Sequence, residues 1–228
     1  QYLQVTSQWG VKNPALAVQY PCFDNEYCTL IGGAHLGYLK SRKAFIERKI
    51  LYIKPDIYVI IDTFKAKFRH TYQQYFHFAP TGKVTLNDNT AEFDDGIVKA
   101  KLHFITPNVK IKKEESIYSS NYNAVCDNDC IKAELSAFGN CSAITVIYGN
   151  TAKDFKPYDV SFAQIKAARS EKMLEPSKAM GVVIKTPEKE YTLCLAFKEL
   201  HEPFGCNEKI GSGTISVFEN GKMIFTKW

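Results

Sequence analysis

Residues 45–80 read FIERKILYIKPDIYVIIDTFKAKFRHTYQQYFHFAP, and this stretch decides the fold. Three runs, 45–53, 57–64 and 70–78, are rich in Ile, Val, Phe and Tyr, and each closes on a turn signal. Between the first two stands Lys54-Pro55-Asp56, where proline presets φ for a tight turn and aspartate can bond its own backbone onward. The pattern predicts a meander of antiparallel strands. In the middle run both alternating sets, Ile57/Val59/Ile61 and Tyr58/Ile60/Phe64, are apolar, so this strand should be covered on both faces. Asp62 interrupts it, and a buried carboxylate needs a basic residue from the neighbouring run or backbone donors. In the third run Tyr72, Phe76 and Phe78 point one way, and Thr71, Gln73, Tyr75 and His77 form a wet face suited to hydroxyl-rich ligands.

Working outward, residues 83–86, 90–93 and 97–105 read as further strands around the turns Asn87-Asp88-Asn89 and Asp94-Asp95-Gly96. In the last of them Val98, Ala100, Leu102 and Phe104 form an apolar face and Lys99, Lys101 and His103 a basic one. Strands are also expected at 109–113, 130–138, 143–149, 181–185, 191–197 and 214–218, and Glu219-Asn220-Gly221-Lys222 is a strong type I′ hairpin signal before a return strand at 223–228. Residues 161–173, with Gln164 three after Ser161 as a capping box, suggest one helix. Upstream, residues 1–20 are weakly patterned apart from a turn at Asn13-Pro14, and Gly32-Gly33-Ala34-His35-Leu36-Gly37-Tyr38 reads as a flexible run that lets backbone approach closely. Many short strands without alternating helices make this an all-β protein: an antiparallel β-sandwich of two stacked sheets with meander and hairpin connections, residues 1–228 forming one domain.

Hydrophobic residues make up 45% and charged residues 23% of the 228, and no apolar stretch approaches the roughly 20 residues of a membrane span. The start, QYLQVTSQWG, has no signal-peptide pattern and no initiator Met, so the chain is expected to belong to something longer. A net charge of +5 favours a polyanion without selecting nucleic acid, which is not expected as a partner. Phosphate-binding loops, nucleotide fingerprints, His-Glu-x-x-His and Gly-x-Ser-x-Gly are absent from the sequence, and no cofactor or metal is expected. The seven cysteines match no zinc spacing, and Cys126-Asp-Asn-Asp-Cys130 reads as a turn, a short disulfide loop or a cation-binding loop. Of the histidines His35, His70, His77, His103 and His201, His35 stands out for its glycine setting and His77 for sharing a face with Gln73 and Tyr75. Basic residues gather at Lys40, Arg42, Lys43, Arg48 and Lys49 and at Lys65, Lys67 and Arg69, either as a lysine-blunted sheet edge or for an acidic glycan.

The segments Gly33-Ala34-His35-Leu36-Gly37-Tyr38, 48–56, Val59-Ile60-Ile61-Asp62, His70-Thr71-Tyr72 and Phe76-His77-Phe78-Ala79-Pro80, in that order, resemble the C-terminal β-domain of heparinase II/III-like polysaccharide lyases. Ser119-Ser120-Asn121-Tyr122 is similar to a Ser-x-x-Tyr step of that domain, and the likeness spans residues 23–149. The resemblance implies a bacterial protein, periplasmic or secreted, with an upstream helical toroid and a cleft for acidic polysaccharide between the two parts. It also implies β-elimination, in which a base takes the proton beside a uronate carboxylate, donors stabilise the anion and an acid protonates the leaving oxygen. The family's catalytic residues lie in the toroid and in a His-x-His-x-Asp stretch that this chain lacks, so no catalytic residue carries over. His35, Tyr38, Arg48, Gln73, Tyr75 and His77 are the candidate substrate-binding residues, with His35 and His77 expected nearest the cleft. A free-standing carbohydrate-binding or structural module is the alternative.

Overall fold

The structure, a computed structural model, describes residues 6–7, 10–11, 17–122, 124–200 and 202–227; the Asn13-Pro14 turn and His201 lie outside them. Among the described residues it consists of antiparallel strands and one five-residue helix, Tyr38–Arg42. A nine-stranded central sheet runs in the order Ala17–Gln19, Cys28–His35, Ala44–Ile53, Ile57–Ala66, Cys141–Thr151, Val98–Phe104, Thr90–Asp94, Lys83–Asn87, with Phe23–Asp24 also paired to Cys28–His35. A five-stranded facing sheet follows the order Asp159–Ala163, Ala179–Lys185, Glu190–Ala196, Ile215–Glu219, Lys222–Lys227.

The main core lies between these two sheets. Leu51, Val59 and Val146 of the central sheet meet Val182, Leu193 and Val217 of the facing sheet, all fully buried. Each such side chain contributes about 2 kcal/mol of transfer free energy. Both sheets also carry apolar residues on their outer faces. Phe64, Leu102 and Phe104 of the central sheet are covered by a three-stranded flank sheet in the order Lys110–Asn121, Ala124–Phe138, Arg69–His77. Val183, Cys194 and Phe218 of the facing sheet are covered by a small cap sheet, Lys166–Ala167, Phe204–Cys206 and Lys209–Gly211. The expected pair of stacked sheets is thus the middle of a four-layer stack, because neither sheet could leave its second apolar face in water.

The stretch 45–80 accounts for two of these layers. Ala44–Ile53 and Ile57–Ala66 form the expected hairpin. The third run does not complete a meander: Arg69–His77 pairs with Ala124–Phe138 in the flank sheet, and Cys141–Thr151 takes its place beside Ile57–Ala66. The chain changes layer at Lys67-Phe68, which lets Tyr72 stack on Phe64 with centroids 4.0 Å apart. The flank sheet covers only part of the central sheet. Asp62 and Phe64 are buried beneath it, whereas Tyr58 is 44% exposed and Ile31 47%, so the middle strand is covered on both faces over its second half alone.

Other differences have equally local causes. Residues 161–173 form no helix; Ala163, Ile165 and Ala167 are buried at every second position, a strand period, while Val160 and Phe162 pack toward the main core. Gln164 bonds the Leu174 carbonyl rather than completing a capping box. Of the glycine-rich run, Gly32–His35 belong to strand Cys28–His35, paired on both sides, and Leu36-Gly37 turn the chain into the helix at Tyr38. Cys126 and Cys130 lie on strand Ala124–Phe138, not on a turn. At about 3.3 Å per residue their Cα atoms are roughly 13 Å apart, too far for a disulfide. His103 does not belong to a wet basic face: it is buried beside Tyr148, its Nε2 3.3 Å from the tyrosine hydroxyl.

Candidate functional site

The six candidate residues fall into two groups separated by the flank sheet. The first lies on the central sheet face that the flank sheet partly covers. Register places Gly33, Arg48 and Asp62 in one row across three strands, and His35, Ile46 and Phe64 in the next. Arg48 donates from Nε to Asp62 Oδ1 at 2.7 Å and from its terminal nitrogen to Oδ2 at 2.6 Å, a bidentate fork. Gln74 Nε2, from the inward face of Arg69–His77, donates to Oδ2 at 2.6 Å. Asp62 is 2% exposed, so these donors are what keeps its charge tolerable between the layers. The Arg48 side chain is half exposed, but its charge is matched by Asp62, which makes its first role architectural.

His35 ends its strand and meets Tyr38, the first residue of the short helix, with ring centroids 5.1 Å apart and planes at 48°. A Cβ at position 37 would stand 2.7 Å from the His35 ring, so glycine is required for the imidazole to lie over this turn. In the flank sheet, where Tyr72 stacks on Phe64, the Tyr72 hydroxyl and His70 Nε2 are buried without a hydrogen-bond partner among the described residues. Burial, reinforced by the Cys141 thiol, pushes the Tyr72 pKa up to about 12, so Tyr72 remains a protonated donor at neutral pH. Sequence reading assigned Tyr72 to the core and passed over Gln74; a polar residue on the otherwise apolar Tyr72/Phe76 face was the signal for it.

The second group occupies the outer face of the flank sheet, where Gln73, Tyr75 and His77 stand in register with Glu134, Lys132 and Cys130. Tyr75 donates its hydroxyl to Gln73 Oε1 at 2.9 Å, and Gln73 Nε2 donates to Glu134 at 2.9 Å. His77 Nδ1 lies 3.3 Å from the Ser116 hydroxyl and its Nε2 lies 3.8 Å from the Cys130 sulfur. Burial pushes the Cys130 thiol up, which disfavours its thiolate. Beside it Glu114 accepts from Lys112 and Lys132, which hold its carboxyl below the usual range. This is a charge-balanced, hydrogen-bonding surface with an exposed aromatic ring.

The Ser119-Ser120-Asn121-Tyr122 step forms the tip of the hairpin Lys110–Asn121/Ala124–Phe138, with Tyr122 fully in solvent. A separate cleft of about 460 Å³ opens between the central and facing sheets beside Asp56, Tyr148, Tyr158 and Tyr191, and none of the six candidates lines it. Among the described residues, no group of three or more His, Cys, Asp or Glu is placed to hold a metal ion, and no helix is long and apolar enough to cross a membrane.

A family model described as "Heparinase II/III-like, C-terminal" matches residues 4–139, more than half of the chain. The chain belongs to the heparinase II/III-like C-terminal family. The match takes in the central sheet from Cys28 to Phe104, the flank sheet and both candidate groups. Among solved structures, heparan sulfate lyase HepC from Pedobacter heparinus aligns with a TM-score of 0.64 and 12% identity over 82% of this chain. The structure titled heparinase III, BT4657 gene product, aligns at 0.62 and 15% over 79%, and a further heparinase III at 0.58 and 12% over 79%. At such identities the likeness is one of fold. The chain spans 29%, 28% and 27% of the lengths of these proteins. No curated protein matches the chain by sequence.

Proposed function

We propose that residues 1–228 form one β-domain of a longer lyase, which cleaves uronate-containing acidic polysaccharide by β-elimination and in which this domain supports and lines the cleft. The observation that carries this reading is the pairing of family membership over residues 4–139 with a fold shared with proteins whose remaining length is more than twice that of the aligned part. Elimination needs a base, donors around the developing anion and an acid held as one unit. In this reading those groups come from an upstream helical domain. The half of the central sheet left open by the flank sheet, with Ile31, Tyr52 and Tyr58, is the face offered to that domain. In this reading His35 and Tyr38, toward the Phe64 end of the same face, would contact substrate, with Arg48 holding the layers beneath.

Purified residues 1–228, incubated with heparan sulfate, alginate and other uronate glycans, should give no unsaturated-uronate absorbance, while the longer protein containing them should give it with at least one. Failure of the longer protein on every uronate glycan would remove the lyase reading. A second reading, a carbohydrate-binding surface, is favoured by the Gln73/Tyr75/His77 row. It predicts saturable glycan binding by residues 1–228 that weakens with salt and is lost in Tyr75→Ala; salt-independent binding, or none, would dismiss it.

A further inference from the structure

We propose that Cys194 and Cys206 are the two ends of a disulfide that clamps the cap sheet onto the facing sheet. Cys194 lies in strand Glu190–Ala196 and points out of the facing sheet, away from the main core; Cys206 ends strand Phe204–Cys206 of the cap sheet above it. Their sulfurs are 3.8 Å apart, the one contact between cysteine sulfurs among the described residues. A disulfide bond is about 2.0 Å long, so closure asks the sulfurs to approach by roughly 1.8 Å, within the reach of side-chain rotation. Position 181, in register with Cys194, is glycine, and a Cβ there would stand 2.8 Å from the Cys206 sulfur. Space on that side has therefore been kept for sulfur.

The remaining cysteines offer no rival pairing. Cys126 and Cys130 are held apart by an extended strand, Cys28 is buried in the main core, Cys141 belongs to the cluster under the flank sheet, and Cys22 is exposed. The two thiols are in hydrogen-bond contact, and Cys206, 7% exposed against 0% for Cys194, is the sulfur nearer solvent and supplies the attack. It also lies beside the Asn207-Glu208 turn, whose two residues have φ of 47° and 62°, at the surface end of the cap hairpin. The oxidant is a small-molecule disulfide such as oxidised glutathione. The Cys206 thiolate attacks one of its sulfurs, forming a mixed disulfide and releasing one glutathione thiolate. The Cys194 thiolate then attacks the Cys206 sulfur of that mixed disulfide, the cysteine sulfurs join and a second glutathione leaves. Two cysteine protons end on two glutathione thiols, so atoms and electrons balance.

The test is to equilibrate the whole chain with reduced and oxidised glutathione at an oxidising ratio, quench in acid, alkylate under denaturing conditions without reductant and map peptides. The expected result is five alkylated cysteines of the seven, with Cys194 and Cys206 joined in one cross-linked pair. Reduction should also lower the melting temperature of the wild type by several degrees and leave the Cys194→Ser/Cys206→Ser variant unmoved. Seven alkylated cysteines, or a cross-link between any other pair, would overturn the proposal.

Discussion

Asp62 is the residue on which the two layers built from stretch 45–80 depend. It accepts from Arg48 in its own sheet and from Gln74 in the flank sheet, and it is almost wholly buried. Replacing it by alanine leaves the Gln74 amide without its acceptor between layers and removes the carboxylate fork from Arg48. Because the Arg48 side chain is half exposed, Asp62→Ala should cost about 2 kcal/mol, read from urea denaturation, rather than the larger loss of a fully buried pair. An unchanged midpoint would show that the fork contributes nothing. The need for a partner was legible because a carboxylate sat in an apolar strand, and Arg48 lay in the neighbouring run. Gln74 was not, because its strand belongs to another layer. His103 was misread for a related reason: alternation with Lys99 and Lys101 hides the fact that Tyr148 covers it. Its pKa falls from 6.5 to about 4, chiefly through burial and then through the charge of Lys101, against a weaker pull from Asp159. The unfolded chain therefore takes up this proton before the folded protein does. The stabilisation is full above pH 6.5 and is lost as pH falls toward 4. Between pH 7 and pH 5 this group should account for about 2 kcal/mol of lost stability, and His103→Gln should remove that part of the slope. An identical slope in the variant would mean that the ring titrates alike in the folded and unfolded chain.

Single strands test the layer assignment. Val59 points into the main core and Tyr58, its neighbour, onto the uncovered face where it stacks with Tyr52. Val59→Ala should cost about 2–3 kcal/mol and Tyr58→Ala about 1 kcal/mol in the same denaturation experiment. Equal costs would mean that the facing and flank sheets are wrongly assigned to their sides. Strand identity was largely readable, since alternation and turn residues act locally; the Glu219–Lys222 hairpin shows it, with Asn220 and Gly221 at φ of 47° and 84°. Two elements escaped for physical reasons. The hairpin Lys110–Asn121/Ala124–Phe138 carries polar residues on both faces toward its tip, so it shows no apolar period there. Residues 161–173 offered a helix-start signal that a period-two burial pattern overrides.

At the scale of the molecule, the antiparallel class followed from the sequence, but the number of layers did not, because partners such as Ile60 and Thr145 are distant in the chain. The candidate residues share that limit. His35 and Arg48 lie in the rows of Phe64 and Asp62 on the central-sheet face that the flank sheet partly covers, with Tyr38 against His35, whereas Gln73, Tyr75 and His77 face away from it, though all were drawn from one short region. The proposed role of the first group is to line a cleft whose chemistry comes from another domain. The most direct test is steady-state kinetics of the longer protein carrying His35→Gln. A lining residue predicts a KM raised several-fold with kcat within about threefold of wild type. A kcat lower by about a hundredfold or more, with KM unchanged, is what loss of a general acid or base gives, and would contradict the claim that this domain carries no catalytic group.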